Sequence, residues 1–324
     1  MDGAASHMTL ADYVTTFGQD LLSRYGERVH KLAINAGFTC PNRDGSKGRG
    51  GCTFCNNATF NPAARQAPSV TEQLAAGRRV LAKRTGARRF IAYFQAYTNT
   101  YADVGELAAL YEQALIEPDV IGIAIGTRPD CVPPAVLGLL QRIQSRGYEV
   151  WLELGLQSAS DKTLQRVNRG HGFAEYISAA RATQRHGIPL CTHLIAGLPG
   201  ESGRQVLETL DQVLDLGVDG LKLHPLHVVK GTQLANTWRR GEYTPLMLED
   251  YIEIAADVVE RTPKNVAFHR LTGTAPTNLL LAPNWCSRKW QVLNGIEFEL
   301  ARRAQNQRHS LALNMAYTTT TRSH

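Results

Sequence analysis

Residues 36–55 read AGFTCPNRDGSKGRGGCTFC and contain three cysteines, Cys40, Cys52 and Cys55, in the pattern C-x11-C-x2-C. The glycines between them allow a loop to pass close to a bulky ligand. Three thiolates suit a four-iron cluster that leaves one iron open, because a cube held entirely by protein uses four cysteines. An open iron can bind a cofactor or a substrate directly. The pattern therefore indicates a redox enzyme.

A zinc site is the main alternative, because a Cys-x2-Cys pair forms half of many zinc sites. Such sites use four protein ligands, and the sequence has no second Cys-x2-Cys pair and no His-x3-His pair. Cys131, Cys191 and Cys286 are scattered, as small buried side chains often are. A non-catalytic metal-binding interaction module stays open as an alternative to an enzyme.

Length and composition fit one large globular unit. The chain has 324 residues, enough to bury a core of barrel type. We find no apolar run that could span a bilayer and no secretory signal, so we expect no membrane partner and a reducing cytoplasmic location. Residues 1–7, MDGAASH, read as a cloning scar before a native start at Met8.

The formal net charge is +6, and basic residues concentrate in residues 65–89 and 285–324. Basic segments attract phosphate backbones. A solvated helix face has the same composition, so charge alone leaves both interpretations open.

Strand-like and helix-like segments alternate along the first two thirds of the chain. Short loops between such segments favour parallel strands joined by right-handed crossovers. Six units are too few for a complete eight-stranded barrel, so the sequence predicts an α/β fold, a partial (β/α)6 TIM-type barrel with an open side. The predicted strands are Val29–Ala36, Arg89–Gln95, Val120–Ile125, Glu149–Leu156, Pro189–Ala196 and Gly220–His224.

The same pattern divides the chain into four parts. Residues 1–24 form an N-terminal segment, and residues 25–228 form the barrel. Residues 229–310 form a C-terminal α/β extension packed on the barrel, with a short strand near residues 266–271. Residues 311–324 are polar and form a flexible tail.

Polar residues follow the predicted strands at their carboxyl ends, where barrels of this kind carry their chemistry. The cysteines follow the first strand. Residues 95–99, 127–130 and 197–201 follow the second, third and fifth strands. Glu153 and Gln157 lie near the end of the fourth strand, and Lys222, His224 and His227 near the end of the sixth. We therefore expect these residues to lie on one rim.

The cysteine loop, with Phe54 between its last two cysteines, resembles that of radical S-adenosylmethionine (SAM) enzymes. Residues 25–45, YGERVHKLAINAGFTCPNRDG, resemble the YhcC/YtqA-like branch, and the chain is more distantly similar to the radical SAM domain of the Elongator catalytic subunit. The resemblance extends from about Tyr25 to about Arg303. The other matching segments are Tyr93–Tyr101, Gly126–Asp130, Leu152–Ser158, Asn168–His171, His193–Glu201 and Leu221–His227.

This resemblance implies two cofactors, a [4Fe-4S] cluster held by Cys40, Cys52 and Cys55, and SAM, which the open iron binds. One electron, from a donor such as flavodoxin or ferredoxin, then cleaves SAM to a 5′-deoxyadenosyl radical that abstracts hydrogen from the substrate. The resemblance and the strand-end positions give these candidate cofactor-binding residues: Phe54, Gln95, Arg128, Glu153, Gln157, His193 and Gly197.

Two of these candidates have alternative roles. Glu153 on a barrel strand needs a partner, because an unpaired buried charge is costly. It could bind the SAM ribose or ammonium group, or form a structural ion pair with Arg128. The planar guanidinium of Arg128 could instead clamp a carboxylate of SAM or substrate.

The substrate follows from the resemblance and from the basic segments. Proteins of this branch and of the Elongator branch are associated with wobble uridines, which implies tRNA modification of a carboxymethylaminomethyl-type uridine side chain. A radical SAM enzyme that acts on a protein or a small metabolite is the alternative.

Overall fold

The computed structural model describes residues 9–56 and 69–320, with side chains to residue 307. Within these residues, strand and helix alternate as predicted. The sequence's expected scar at residues 1–7 and the end of the tail at residues 321–324 lie outside the described residues. The strands are β1 Val29–Ile34, β2 Arg89–Phe94, β3 Val120–Thr127, β4 Glu149–Gln157, β5 Leu190–Ala196, β6 Gly220–Pro225, β7 Val228–Val229, β8 Ala267–Arg270 and β9 Leu280–Ala282.

The main sheet is parallel throughout and has the order β1-β2-β3-β4-β5-β6-β8. Consecutive strands are neighbours, and a helix crosses between each of the first six. This confirms the predicted α/β partial barrel. A seventh strand, β8, comes from the C-terminal extension and pairs with β6, because residues 266–271 return to the edge of the sheet. Strands β7 and β9 form a separate antiparallel pair.

The helices cover the outer face of the sheet. The last helix is the longest of those described, with 32 residues. Its backbone is helical to Thr320, which includes residues 311–320 that the sequence assigned to a flexible tail. The helices are α1 Leu10–Tyr13, α2 Phe17–Tyr25, α3 Val70–Thr85, α4 Val104–Leu115, α5 Pro134–Ser145, α6 Asp161–Arg166, α7 Phe173–Arg185, α8 Gly203–Asp215, α9 Gln233–Arg239, α10 Leu248–Arg261 and α11 Lys289–Thr320.

Local sequence signals explain where these helices begin and end. Helix α3 begins with a capping box, in which the Ser69 side chain accepts from the Glu72 amide and the Glu72 carboxylate accepts from the Ser69 amide. It ends at Gly86, whose φ of 69° is a left-handed conformation that glycine adopts readily. In the part of the chain that the structure describes, no helix is long and apolar enough to cross a membrane.

The central strands β2 and β3 are mostly apolar because both faces of the sheet are covered. In β3, Ile123 and Ile125 are fully buried against the outer helices, while Ala124 faces the barrel interior with Tyr93 and Trp151. A site can therefore form at the carboxyl ends of the strands, from the loops there and from the inward-facing side chains just below them.

Helix α2 closes the opposite, amino-terminal end of the barrel. Phe17 and Leu21 are buried there, and the Phe17 ring lies 5.1 Å from the Trp151 ring and 3.9 Å from the His269 ring. The Phe268 amide of β8 also donates to the Thr15 carbonyl at 2.8 Å. The beginning of the chain therefore packs against the last strand of the sheet.

Candidate active site

A cavity of about 240 Å³ opens at the carboxyl ends of the strands. The cysteine loop forms one side of it, and the ends of β5, β6 and β8 form the other. Of the ten residues that the sequence proposed as cofactor or metal ligands, eight line this cavity. They are Cys40, Cys52, Phe54, Cys55, Gln95, Arg128, Gln157 and His193.

The cysteine loop is held in shape by its own backbone and by close packing. The Arg43 amide donates to the Cys40 carbonyl at 2.8 Å, and the Cys55 amide donates to the Cys52 carbonyl at 3.0 Å. Gly48 is required by space, because a Cβ atom there would lie 2.4 Å from Asn42 Oδ1. The loop therefore presents all three thiols to one cavity.

The spacing of the thiols bears on the choice between zinc and a cluster. Among the described residues, three possible metal ligands lie within 4.8 Å of one another only at Glu153, Cys191 and His269. The three thiols of the cysteine loop do not all lie within that distance of one another. Sulfurs around one tetrahedral zinc lie about 3.8 Å apart, given Zn–S bonds of about 2.3 Å. The wider arrangement fits a cage of several metal ions better than a single zinc ion.

Arg128 has a different neighbour from the one that the sequence suggested. Its Nε and Nη2 donate to the two carboxylate oxygens of Asp130 at 2.9 and 3.0 Å, and its Nη1 donates to the Arg169 carbonyl at 2.8 Å. The alternative of an ion pair with Glu153 is therefore wrong. Both edges of the guanidinium are occupied, so it offers no open fork to a carboxylate. Lys47 also binds Asp130, at 2.7 Å.

Glu153 lies beneath the cavity rather than on its wall, and its side chain is fully buried. One carboxylate oxygen accepts from Lys31 of β1, and the other accepts from Lys222 of β6. His193 Nε2 of β5 lies 2.9 Å from Oε2, and His269 Nδ1 of β8 lies 3.3 Å from Oε1. These five residues, which we call the barrel floor, lie on five strands and bring four side chains to one carboxylate.

The two lysines determine the ionisation of this carboxylate. Burial alone would raise the pKa of Glu153, but the charges of Lys222 and Lys31 outweigh it and hold the pKa well below its usual range. Burial lowers the pKa of Lys222 to about 8 despite the attraction of Glu153. Burial also lowers the pKa of His193 to about 4. The floor thus carries two ammonium groups, one carboxylate and neutral imidazoles near neutral pH.

Gln157 adopts a backbone conformation that its residue type rarely uses. Its φ is 83°, at an irregularity in the pairing of β4 with β5. Such strained positions concentrate at functional sites, where the surrounding structure enforces them. Gly155 makes room for this side chain, because a Cβ there would lie 2.9 Å from Gln157 Nε2.

The remaining strand-end residues divide into two groups. Lys222, His224 and His227 line the cavity as expected, and burial lowers the pKa of His227 to about 4. Gly197 does not line it. Its φ is 89°, and its carbonyl accepts from the Tyr243 hydroxyl at 2.8 Å, so it shapes the turn after β5.

Comparison with known proteins places these features in a family. Residues 37–213 match the radical SAM superfamily, and residues 218–302 match the radical SAM C-terminal domain. The first match covers more than half of the chain, including all three cysteines and strands β2 to β5. The chain belongs to the radical SAM superfamily. Enzymes of this superfamily use a [4Fe-4S] cluster and SAM, which confirms the predicted enzyme class and cofactors.

Relatives support the same assignment. The chain is 50% identical over 283 residues to protein YhcC of Escherichia coli K12, a match that covers 87% of this chain and 91% of that protein. It is 29% identical over 165 residues to a tRNA uridine(34) acetyltransferase of Methanocaldococcus jannaschii, covering 50% of this chain and 30% of that protein. The predicted resemblance to the YhcC branch is confirmed.

A solved structure shares the radical SAM fold. The archaeal Elp3 of Methanocaldococcus infernus, with an N-terminal deletion, superposes with a TM-score of 0.61 at 20% identity. The match covers 82% of this chain and 62% of that one. Its similarity concerns the curled sheet and its helices.

Sequence reasoning missed several residues of this radical SAM site. Lys31 and His269 of the floor lie on strands 122 and 116 residues from Glu153, so no local motif connects them. Tyr93 was noted only at the start of a matching segment, yet its hydroxyl accepts from Lys222 Nζ at 2.9 Å. Arg169 lies inside the matching segment Asn168–His171, and that segment was the available signal.

Proposed function

We propose that this radical SAM enzyme modifies the side chain of the wobble uridine of tRNA. The observation that carries the proposal is that one cavity combines three thiols on one side with a cationic floor on the other. Cys40, Cys52 and Cys55 hold the cluster in this proposal. Bound cluster and SAM, together with one electron from a donor such as flavodoxin or ferredoxin, supply a 5′-deoxyadenosyl radical that removes hydrogen from the substrate.

The residues of the cavity position the cofactor and the substrate. Phe54 and Gln95 border the thiols, and the strained Gln157 points into the same space, so we assign these three to contacts with SAM. His193 stands between the two ends, because its Nε2 is bound to Glu153 while its ring lines the cavity. The protein supplies geometry and exclusion of water, and the cofactors supply the radical chemistry.

The floor favours a substrate group with negative charge. Lys31 and Lys222 share a single carboxylate, and Arg270 of β8 lines the same cavity. A buried surplus of positive charge is costly unless an anion compensates it. Lys222 has three donors, of which Tyr93 and Glu153 take two. A carboxymethylaminomethyl-type uridine side chain would bring a carboxylate to this position.

Exposed cations lie on or beside the segments that line the cavity, and two of them, Arg43 and Arg270, line it themselves. Arg43 and Arg49 lie on the cysteine loop, Lys230 follows β7, and Arg270 ends β8. We call these four residues the rim cations. Phosphate contacts from such residues supply most of the sequence-independent affinity for nucleic acids. The rim cations would hold the anticodon arm while the uridine enters the cavity.

The basic segments that the sequence emphasised lie elsewhere. Residues Lys83 and Arg84 end α3 and lie at the amino-terminal edge of the sheet, about 20 Å from the cavity by the length of β2. Arg303 of α11 is paired with Asp257, Glu260 and Glu299. Arg65 and Arg322 lie outside the described residues. In this proposal the affinity for the tRNA backbone therefore comes from the rim cations.

A binding experiment tests the rim. The double variant Arg49→Glu/Lys230→Glu should bind tRNA about tenfold or more weakly, and the slope of log K against log salt should fall by about two. Anisotropy of labelled tRNA at several salt concentrations measures both. The matched control is Arg84→Glu on the far edge, which should bind as the wild type does. Equal losses in both variants would refute the proposed orientation.

A cellular experiment tests the reaction. Mass spectrometry of tRNA nucleosides should show an accumulated wobble-uridine precursor in cells that lack the enzyme. The wild-type gene should restore the product, and a Cys52→Ala variant should not. An unchanged nucleoside profile, with 5′-deoxyadenosine still formed from SAM by the purified anaerobic enzyme, would contradict tRNA and favour a protein or small-metabolite substrate.

A further inference from the structure

The segment after α6 packs directly on the cysteine loop. The Thr53 amide donates to the Val167 carbonyl at 2.9 Å, and Asn168 Nδ2 donates to the Gly51 carbonyl at 2.8 Å. Asn42 of the loop donates back to the Asn168 carbonyl at 2.5 Å. Asn168 has a φ of 51°, a left-handed conformation that asparagine tolerates. These contacts fix where the next residue, Arg169, points.

Arg169 points at a thiol and is only 8% exposed. Its Nη1 lies 3.5 Å from Cys52 Sγ, and its Nη2 donates to the Gly155 carbonyl. Its Nε is buried and has no hydrogen-bond partner in the structure. Within the described residues no carboxylate pairs with it. A full positive charge and an unused N–H group therefore lie beside the proposed cluster.

Arg128 offers a useful contrast on the other side of the same loop. Its Nη1 lies 3.9 Å from Cys40 Sγ, slightly farther than Arg169 from Cys52. Its charge is shared with Asp130, which binds both edges of the guanidinium. Two arginines thus face two cysteines, but only one of them carries a charge that no carboxylate in the described part of the chain neutralises.

We propose that Arg169 raises the reduction potential of the [4Fe-4S] cluster and that Arg128 contributes less. The potential of such clusters depends on nearby charge and on hydrogen bonds to their sulfurs. Reduction adds negative charge, which a buried guanidinium a few ångströms away stabilises strongly because solvent screens it little. The orphaned Nε fits the same role, since cluster sulfur is an acceptor. This inference rests on family membership and not on a tRNA substrate.

A redox titration of the anaerobically reconstituted full chain tests the proposal. Dithionite with mediators sets the potential, and electron paramagnetic resonance reports the reduced cluster. Arg169→Met should move the midpoint to more negative values, so that the ratio of reduced to oxidised cluster at the wild-type midpoint falls about tenfold or more. Arg169→Lys keeps the charge and should stay nearest to the wild type. Arg169→Gln keeps a donor only and should lie between.

Two comparisons make the result specific. Arg166→Met removes an exposed positive charge from the same helix end, and its midpoint should not move. Arg128→Met should move the midpoint in the same direction as Arg169→Met, but by less. Iron and sulfide content of each variant separates a change in potential from a loss of cluster.

The proposal fails under either of two outcomes. One is an unchanged midpoint in Arg169→Met and Arg169→Gln at full iron content. The other is a shift in Arg166→Met as large as that in Arg169→Met. If Arg169→Met retains too little iron to titrate, the Lys and Gln variants decide, since equal midpoints for these two would remove the role of charge.

Discussion

The two ends of the cavity differ in whether a buried positive charge has a carboxylate partner within the protein. At the thiol end, Arg169 has no carboxylate partner within the described residues, and its guanidinium faces Cys52. At the barrel floor, Glu153 accepts from both Lys31 and Lys222, so one of the two positive charges is compensated inside the protein. The charge of Arg169 is therefore suited to a negatively charged cofactor at the thiols. The floor has a carboxylate of its own, which each of its two lysines contacts.

This difference implies different consequences of mutation. Charges at the thiol end should affect the cofactor and leave the fold nearly unchanged. Charges at the floor should affect the fold, because breaking a buried ion pair leaves the remaining partner buried without compensation. Measurements of cofactor content and of unfolding free energy can therefore separate the two ends.

The largest expected effect is at the thiol end. Cys52→Ala removes one of the three proposed cluster ligands, and the reconstituted protein should lose its cluster and all SAM cleavage. Iron analysis and chromatography of 5′-deoxyadenosine measure this. Cys286→Ala is the control, because Cys286 is buried away from the cavity and should leave iron content unchanged. Full cluster content in Cys52→Ala would exclude the proposed ligand set.

At the floor, Glu153→Gln should lower the free energy of unfolding by about 3–5 kcal/mol, because the buried Lys222 and the partly buried Lys31 lose their carboxylate. Urea denaturation measures this. Replacing all three charges, as in Lys31→Met/Glu153→Leu/Lys222→Met, should cost much less than Glu153→Gln alone. A triple variant that is less stable than the single variant would show that the charges themselves hold the floor together.

The lowered pKa of Lys222 makes the stability of the barrel floor depend on pH, and this dependence gives a further test. Its folded pKa is about 8 and its ordinary value is 10.5. Between these values the unfolded chain holds the proton and the folded chain does not, so stability should rise with pH, by about 1 kcal/mol per pH unit at most. The stability of the wild type relative to Lys222→Met should therefore increase from pH 8 to pH 10. The exposed control Lys83→Met should show no such trend relative to the wild type.

The smallest expected effect concerns Tyr93. Tyr93→Phe removes the hydroxyl that accepts from Lys222 and should lower the unfolding free energy by about 1 kcal/mol. The same urea experiment measures it. A loss as large as that of Glu153→Gln would mean that the hydroxyl, and not the carboxylate, is the main partner of Lys222.

Much of this architecture follows from local sequence. The alternation of strands with helices predicted the order of β1 to β6 and their bounds to within two residues, and the strand-end positions of Cys40, Gln95 and Gln157 predicted that they share one rim. These features depend on residues close in sequence. Sequence patterns report such local features well.

Partners across the barrel could not be predicted in the same way. The alternation of inward and outward side chains along β4 predicts which face of the sheet carries Glu153. The partners of Glu153 depend on how the sheet curls, which the sequence does not reveal. His269 reaches Glu153 because β8 pairs with β6 at the edge of the sheet. The sequence of residues 266–271 predicts a short strand but does not indicate with which strand it pairs. Arg128 is a different case, because its partner Asp130 lies only two residues away, whereas the sequence analysis offered an ion pair with Glu153 as one alternative.

The contact between the beginning of the chain and β8 has a consequence for synthesis. Thr15 Oγ1 donates to the Lys264 carbonyl, 249 residues later, and Lys31 Nζ lies 4.2 Å from the ring centre of Phe17 in α2. The ribosome releases α2 long before β8 exists. Helix α2 can therefore complete its packing only after β8 has been synthesised, and Lys31 and Glu153 stay in contact with water until then.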